Sequence, residues 1–323
     1  MKGKRKLRLS TLAKYLFLFI LAAALSWIGF HYAMKLYEEQ KYPANGLYVQ
    51  VDDKQMNVYS KGEGPNTIVL LSGLGTVSPV LDFEPLVNEM SKYNRVVVVE
   101  PFGYGFSDQT NKERSVENIA GEIRNALKQL NIEGPYVLMP HSISGIYSLY
   151  YANEYPDEVK AVVGIDATLP AALAYFNESP PAMPGYMRYA APSGLARIVV
   201  HLNPSAVLPI ENEGAYSKGN LAMTKAVTAW NAYNNNVVNE ANEVDNNVRK
   251  TAHLSFPSDL PVLFFYQEDE RRTDEGKSQS AFLKTQLTDH SSSAMIPLKG
   301  HHYLHWTKYK EMSKALLEFL EEI

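Results

Sequence analysis

Hydrophobic and polar positions along this chain fall into three rhythms. From Tyr15 to Met34 the sequence YLFLFILAAALSWIGFHYAM contains no Asp, Glu, Lys or Arg, and Lys14 and Lys35 bracket it. At roughly 1.5 Å per residue, a helix of that length crosses the roughly 30 Å hydrocarbon core of a bilayer. Short, continuous apolar runs follow at 67–71 (TIVLL), 95–100 (RVVVVE), 161–167 (AVVGIDA), 261–266 (PVLFFY) and 293–300 (SAMIPLKG). The first three read as strands buried on both faces, the fourth resumes the sheet and the fifth is its last short strand. Between them the spacing turns helical: Val116, Ile119, Ala120, Ile123, Ala126, Leu127 and Leu130 follow Ser115, a natural N-cap, and Met312, Leu316, Phe319 and Leu320 close the chain. Strands alternating with helices predict an α/β protein with a mostly parallel sheet and right-handed crossovers. Ahead of it, two β-rich runs between Gly46 and Gly64, split by Asp52-Asp53-Lys54, predict an antiparallel hairpin at the sheet edge.

Residues 170–258 break the rhythm. Prolines stand at 180, 181, 184, 192, 204 and 209, and a helical pattern then runs through Val227, Trp230, Tyr233, Val237, Ala241, Val244 and Val248. The stretch is too long for a loop and lacks strand alternation, so it predicts a helical cap inserted into the sheet, with plain outer helices as the simpler alternative. The chain then divides into a basic N-terminus (1–14), a membrane-spanning signal-anchor (15–34), a short polar tether (35–45, KLYEEQKYPAN) and a body (46–323) that carries the cap.

Charge sharpens this picture. Lys2, Lys4, Arg5, Lys6 and Arg8 precede the apolar span, so the positive-inside rule puts the N-terminus in the cytoplasm and the body outside it. A cleaved signal peptide is the alternative, with Ala24-Leu25-Ser26 as a small-x-small site, but the apolar run continues past it through Trp27, Ile28 and Phe30. Of 31 basic residues, removing those five leaves 26 against 35 acidic ones, an acidic body with no basic stripe for nucleic acid. The chain has no cysteine, which removes disulfides and thiolate metal sites.

The candidate chemistry begins at VLMPHSISGIYSLYYA, residues 137–152, which reads as a strand, a sharp turn carrying Ser142, and a helix. A serine hydroxyl is a weak nucleophile until a turn lifts it out of the sheet and a base stands beside it. The turn motif G-x-S-x-G has Pro140 and Ser144 in place of its two glycines here, while the extended form keeps His141, Ser142 and Gly145. A base is available at GHHYLHW, residues 300–306, directly after the last strand. Carboxylates at Glu268, Asp269 and Glu270 follow the strand at 261–266, and Asp166 follows the strand before it.

Taken together, residues 46–323 resemble the α/β-hydrolase family. Four landmarks stand in family order: a strand followed by SGLG (72–75), EPFGYGFSD (100–108), the H-S-x-x-G elbow (141–145), and a histidine before a closing amphipathic helix. The resemblance implies a Ser, acid, His triad in that chain order, and no cofactor or metal. The family spacing from histidine to a later Phe-Leu fits His302 with Phe319-Leu320, so His302 is the expected base and His301 the alternative. His141 is expected to pack beside the elbow, and a metal cluster of His301, His302 and His305 is disfavoured. Asp269 is the expected acid, with Glu268, Glu270 and, more remotely, Asp166 as alternatives. The resemblance assigns the oxyanion hole to the backbone N–H groups of Leu74 and Ile143. The family usually has histidine at Ser72 and aspartate at Glu100, departures that bear on loop geometry.

A serine at the nucleophile position disfavours the branches that use aspartate, such as epoxide hydrolases and haloalkane dehalogenases. The expected activity is ester hydrolysis through an acyl-enzyme, with thioesterase, peptidase, acyltransferase and a silent surface binding protein as alternatives. The substrate is then a small molecule, and the cap residues Tyr175, Phe176, Tyr186, Met187 and Trp230 suggest an apolar acyl group, with the cap's own core as the equal alternative for them.

Overall fold

The computed structural model describes residues 3–323 except 211–213, 269–272, 274 and 275. The chain opens with α1 (Gly3–Lys41), so the expected polar tether is helical over most of its length. β1 (Leu47–Val51) and β2 (Lys54–Lys61) form the hairpin, turned by Asp52 and Asp53 in left-handed conformations that aspartate tolerates. Next come β3 (Thr67–Leu71), α2 (Pro79–Asp82), α3 (Glu84–Met90), β4 (Arg95–Val99), α4 (Val116–Gln129), β5 (Tyr136–Pro140), α5 (Ser144–Glu154) and β6 (Val159–Ile165). Among the described residues between β6 and β7 (Val262–Gln267) stand the α-helices α6 (Pro170–Phe176), α7 (Leu195–Leu202), α8 (Lys218–Asn231) and α9 (Asn235–Thr251), with short 3-10 turns at Gly185–Tyr189 and Pro204–Ala206. The chain ends with α10 (Gln279–Lys284), β8 (Ala294–Leu298), α11 (Leu304–Thr307) and α12 (Tyr309–Glu321).

The eight strands make one sheet in the order β1-β2-β4-β3-β5-β6-β7-β8. β1 pairs with β2 and β2 with β4 antiparallel, and every later pairing is parallel. Alternate residues of β3 face opposite sides, as a period of two requires: Val69 and Leu71 pack with α4 and α5, Ile68 and Leu70 with α3 and α12. β3 sits between β4 and β5, so the chain leaves β3 toward β4 and leaves β5 the other way, toward β6. Loops at the carboxyl ends of β3 and β5 therefore diverge and open a crevice, the place where open α/β sheets bind ligands.

The cap is fastened by its asparagines. The helical pattern expected to run unbroken through 227–248 splits at Tyr233, whose φ is +52°, and Asn234 caps the new helix by accepting from the N–H groups of Asn236 and Val237. The side chain of Asn236 pairs with both backbone groups of Thr110, at 3.1 and 2.9 Å. Asn247 accepts from the Val116 N–H at 2.7 Å and donates to the Arg114 carbonyl at 3.0 Å. Asn231 and Asn234 donate to the carbonyl of Gly103. These asparagines thus bind backbone groups of Gly103, Thr110, Arg114 and Val116, which lie outside the strands.

Candidate active site

The elbow forms because β5 runs straight into α5 with only His141 to Ile143 between them. Ser142 takes a φ of +53°, a conformation costing a non-glycine residue about 1–3 kcal/mol unless its surroundings enforce it. They do: the His141 N–H donates to the Leu71 carbonyl at 2.8 Å, the Ser142 N–H to Ile165 at 3.2 Å, and the Ser142 carbonyl accepts from Thr168 at 2.8 Å. The motif keeps glycine where space demands it, since a Cβ on Gly145 would lie 2.5 Å from the Thr168 carbonyl oxygen. Ser144 is accommodated because its hydroxyl donates to the Ser72 carbonyl at 2.5 Å, tying the elbow to the loop after β3.

His302 reaches Ser142. Its Nε2 lies 3.0 Å from the serine Oγ, and its Nδ1 lies 2.6 Å from Oδ2 of Asp166. The carboxylate beside His302 among the described residues is thus Asp166, the remotest of the four candidates, and not Glu268. Asp166 is the first residue past β6, again left-handed at φ +41°, and its N–H donates to the Phe265 carbonyl on β7 at 2.7 Å. Glu268 is an exposed side chain whose carboxylate lies 3.7 Å from Lys299, while Asp269 and Glu270 lie outside the described residues. His301 is exposed and stacks on Trp306 and Tyr303 rather than facing the serine. His305 is buried and held by Asp82 at 2.7 Å, beside Trp306, whose indole N–H donates to the other oxygen of Asp82 at 2.8 Å. The three histidines of this loop thus turn to three different partners.

His141 packs against the rings of His302, Tyr303 and His305 and is fully buried. Burial, with His305 and His302 adjacent, lowers its pKa well below the usual histidine value, so it is neutral at neutral pH. A charged ring 4.8 Å from His302 would oppose any positive charge placed there; a neutral one does not.

The N–H groups of Leu74 and Ile143 have no acceptor among the described residues, and both residues border the cavity over Ser142. The loop carrying Leu74 is braced from the cap. The Gly75 N–H donates to the Tyr104 hydroxyl at 3.2 Å, which donates to Glu240 on α9 at 2.8 Å. Tyr147, one turn and a half past Ser142 on α5, donates to the other oxygen of Glu240, also at 2.8 Å. Burial raises the pKa of Glu240 and of both tyrosines, and Glu240 raises the tyrosines further. A second buried carboxylate, Glu100, accepts from the Asn57 amide, the Ser78 hydroxyl and the N–H groups of Val80 and Phe106. The longer glutamate, in place of the aspartate usual in the resembled family, spans the loops at 78–80 and 101–107. The brace through Glu240 was not visible in sequence, because Glu240 lies 136 residues from Tyr104 and carries no local signal, whereas Glu100 stood out as a departure at the loop it spans.

The cavity above Ser142 measures about 530 Å³ and is bordered by Leu74, Ile143, Ala167, Ala172, Leu173 and Pro181, with Thr168, Glu178, Ser179, Gln267 and Gln279 among its polar members. None of the five cap residues singled out in sequence borders it. Phe176 and Tyr175 instead pack on Phe282, and Tyr186 is exposed. The wall facing the serine comes from α6 and the segment just after it.

Comparison with known proteins agrees with this architecture. The chain is 27% identical over 320 residues to the uncharacterized protein YbdG of Bacillus subtilis, covering 94% of each. It is 33% identical over 113 residues to a 2-(acetamidomethylene)succinate hydrolase of Mesorhizobium japonicum, covering 35% of this chain and 39% of that protein. Among solved structures, an enol-lactonase from Burkholderia xenovorans superposes with a TM-score of 0.60 at 17% identity, over 85% of this chain and 100% of that one. An epoxide hydrolase from Vigna radiata does so with a TM-score of 0.62 at 16% identity, over 86% and 98%. The profile of the alpha/beta hydrolase fold matches residues 66–309, which include the elbow, Asp166 and His302, and the chain belongs to that family of hydrolases.

Proposed function

We propose that this protein is a membrane-anchored serine hydrolase, its body outside the cytoplasm, that cleaves a carboxylic ester through an acyl-enzyme. The observation that carries this reading is the unbroken hydrogen-bonded line from Asp166 through His302 to Ser142. With the Nδ1–H hydrogen-bonded to the Asp166 carboxylate, which keeps its charge, Nε2 is free to accept the serine proton as Oγ attacks the substrate carbonyl. Asp166 then stabilises the imidazolium, and the N–H groups of Leu74 and Ile143 receive the oxyanion. Nε2 returns the proton to the departing alkoxide, and a water activated by the same nitrogen releases the acid. A nucleophilic serine separates this chemistry from the aspartate branches of the family, so an epoxide is not the proposed substrate. The mixed apolar and polar border of the cavity suits a small ester with a short apolar acyl part.

A fluorophosphonate probe tests the reading. The full-length protein is expected to take one label, and Ser142→Ala to take none. Labelling that survives the substitution moves the nucleophile elsewhere, and failure of the unsubstituted protein to label favours a silent binding protein.

The anchor reading rests on α1, exposed and apolar over a stretch long enough to span a bilayer, behind a basic N-terminus. A protease added to intact cells is expected to digest the body and leave a membrane-embedded fragment containing residues 15–34. Complete protection of the body contradicts the orientation.

A further inference from the structure

We infer that cap helix α7 is seated in the outer leaflet of the bilayer, with lipid covering its exposed apolar stripe. The inference rests on the anchor reading of α1 and goes beyond it. Residues 10–26 of α1 stand clear of the body, every one exposed, whereas the helix from Trp27 to Glu38 docks on the start of α7. The Trp27 indole N–H donates to the Ser193 carbonyl at 3.1 Å, and Arg197 donates to His31 Nδ1 at 3.2 Å and to both oxygens of Glu38 at 2.7 Å. Gly194 makes the approach possible: a Cβ there would stand 2.8 Å from the indole nitrogen and 3.0 Å from His31.

Helix length then fixes depth. From Tyr15, the first residue past Lys14, the clear part of α1 ends at Ser26, roughly 18 Å along the axis at about 1.5 Å per residue. The hydrocarbon core is roughly 30 Å thick, so its last roughly 12 Å must be crossed by Trp27 and the residues after it. Those are the residues that hold α7. Sliding the span toward the N-terminus to lift the cap out would draw Lys14 and then Arg8 into hydrocarbon, which is costly.

The surface of the cap fits this depth. Leu195, Val199 and Leu202 recur at helical spacing along α7 and are 57%, 52% and 76% exposed. Tyr186, Tyr189 and Ile210, outside α7 on the cap, are also exposed. A stripe of that kind is mismatched to water and matched to a leaflet, where amphipathic helices bury their apolar face by roughly 5–10 Å. Arg197, the charge nearest the contact, is neutralised by Glu38.

The absence of cysteine makes the test clean, because one introduced thiol is the only one. Leu18→Cys, Val199→Cys, Leu202→Cys and Lys314→Cys, each labelled with an environment-sensitive fluorophore, are reconstituted full-length in phosphatidylcholine vesicles whose acyl chains carry a shallow spin-label quencher. Probes at 199 and 202 are expected to be quenched to within about twofold of the probe at 18, and the probe at 314 to be untouched. Quenching at 18 without quenching at 199 or 202 overturns the inference and leaves the anchor standing. No quenching at 18 overturns both. Blue-shifted emission at 199 that ignores the lipid quencher assigns the stripe to a protein surface, a second copy or another chain, and also overturns it.

Discussion

Replacing His302 with alanine is expected to lower kcat for a short-chain aryl ester by roughly 10⁵- to 10⁶-fold, the loss typical when the base of a serine triad is removed. His301→Ala is expected to keep the rate within about threefold, since its effect is limited to the surface stack it makes. The two imidazoles are adjacent in sequence, yet only one has a nitrogen 3.0 Å from the serine oxygen. The other lies against Trp306, with the two rings nearly parallel at 7°. Steady-state kinetics on the pair, with circular dichroism to confirm folding, decides the matter. A large loss in His301→Ala with activity retained in His302→Ala would reverse the assignment.

Asp166→Asn is expected to cost about 10⁴-fold in kcat with little change in KM, because the amide holds the imidazole in the wrong tautomer and cannot stabilise its charge. Glu268→Gln, Asp269→Asn and Glu270→Gln are each expected to leave kcat within a few-fold. A loss confined to Asp269→Asn would put the acid back at the end of β7. The distinction is sharp because the alternatives sit on neighbouring strands: β6 and β7 are parallel, with Ile165 opposite Phe265. A carboxylate just past either strand can approach the same imidazole. Asp166 does so without an intervening loop, its N–H tied back to Phe265.

That geometry also explains how far the sequence could be read. The buried strands were legible because a strand covered on both faces is a continuous apolar run, and TIVLL at 67–71 is β3 itself. The elbow and His302 were legible because each is anchored to a neighbouring element, Ser142 to the start of α5 and His302 to the spacing of Phe319 and Leu320 on α12. The acid was not, since nothing local tells two adjacent strand ends apart; the one available signal was aspartate directly after a buried run, a residue suited to the left-handed turn it makes. The cap was legible as an interruption and illegible in detail. Its aromatic residues do not border the cavity, since Tyr175 and Phe176 pack on Phe282 and Tyr186 is exposed, and the brace through Glu240 joins residues far apart in the chain.

The asparagine contacts of the cap have a consequence for the conditions under which the protein keeps its shape. Ions in solution weaken attachments built from exposed charges, over a Debye length of about 8 Å at physiological strength. Amide side chains bonded to peptide groups carry no net charge to screen, and Asn236 and Asn247 are wholly enclosed. A cap fastened in this way therefore keeps its roof in register as the salinity of the medium changes.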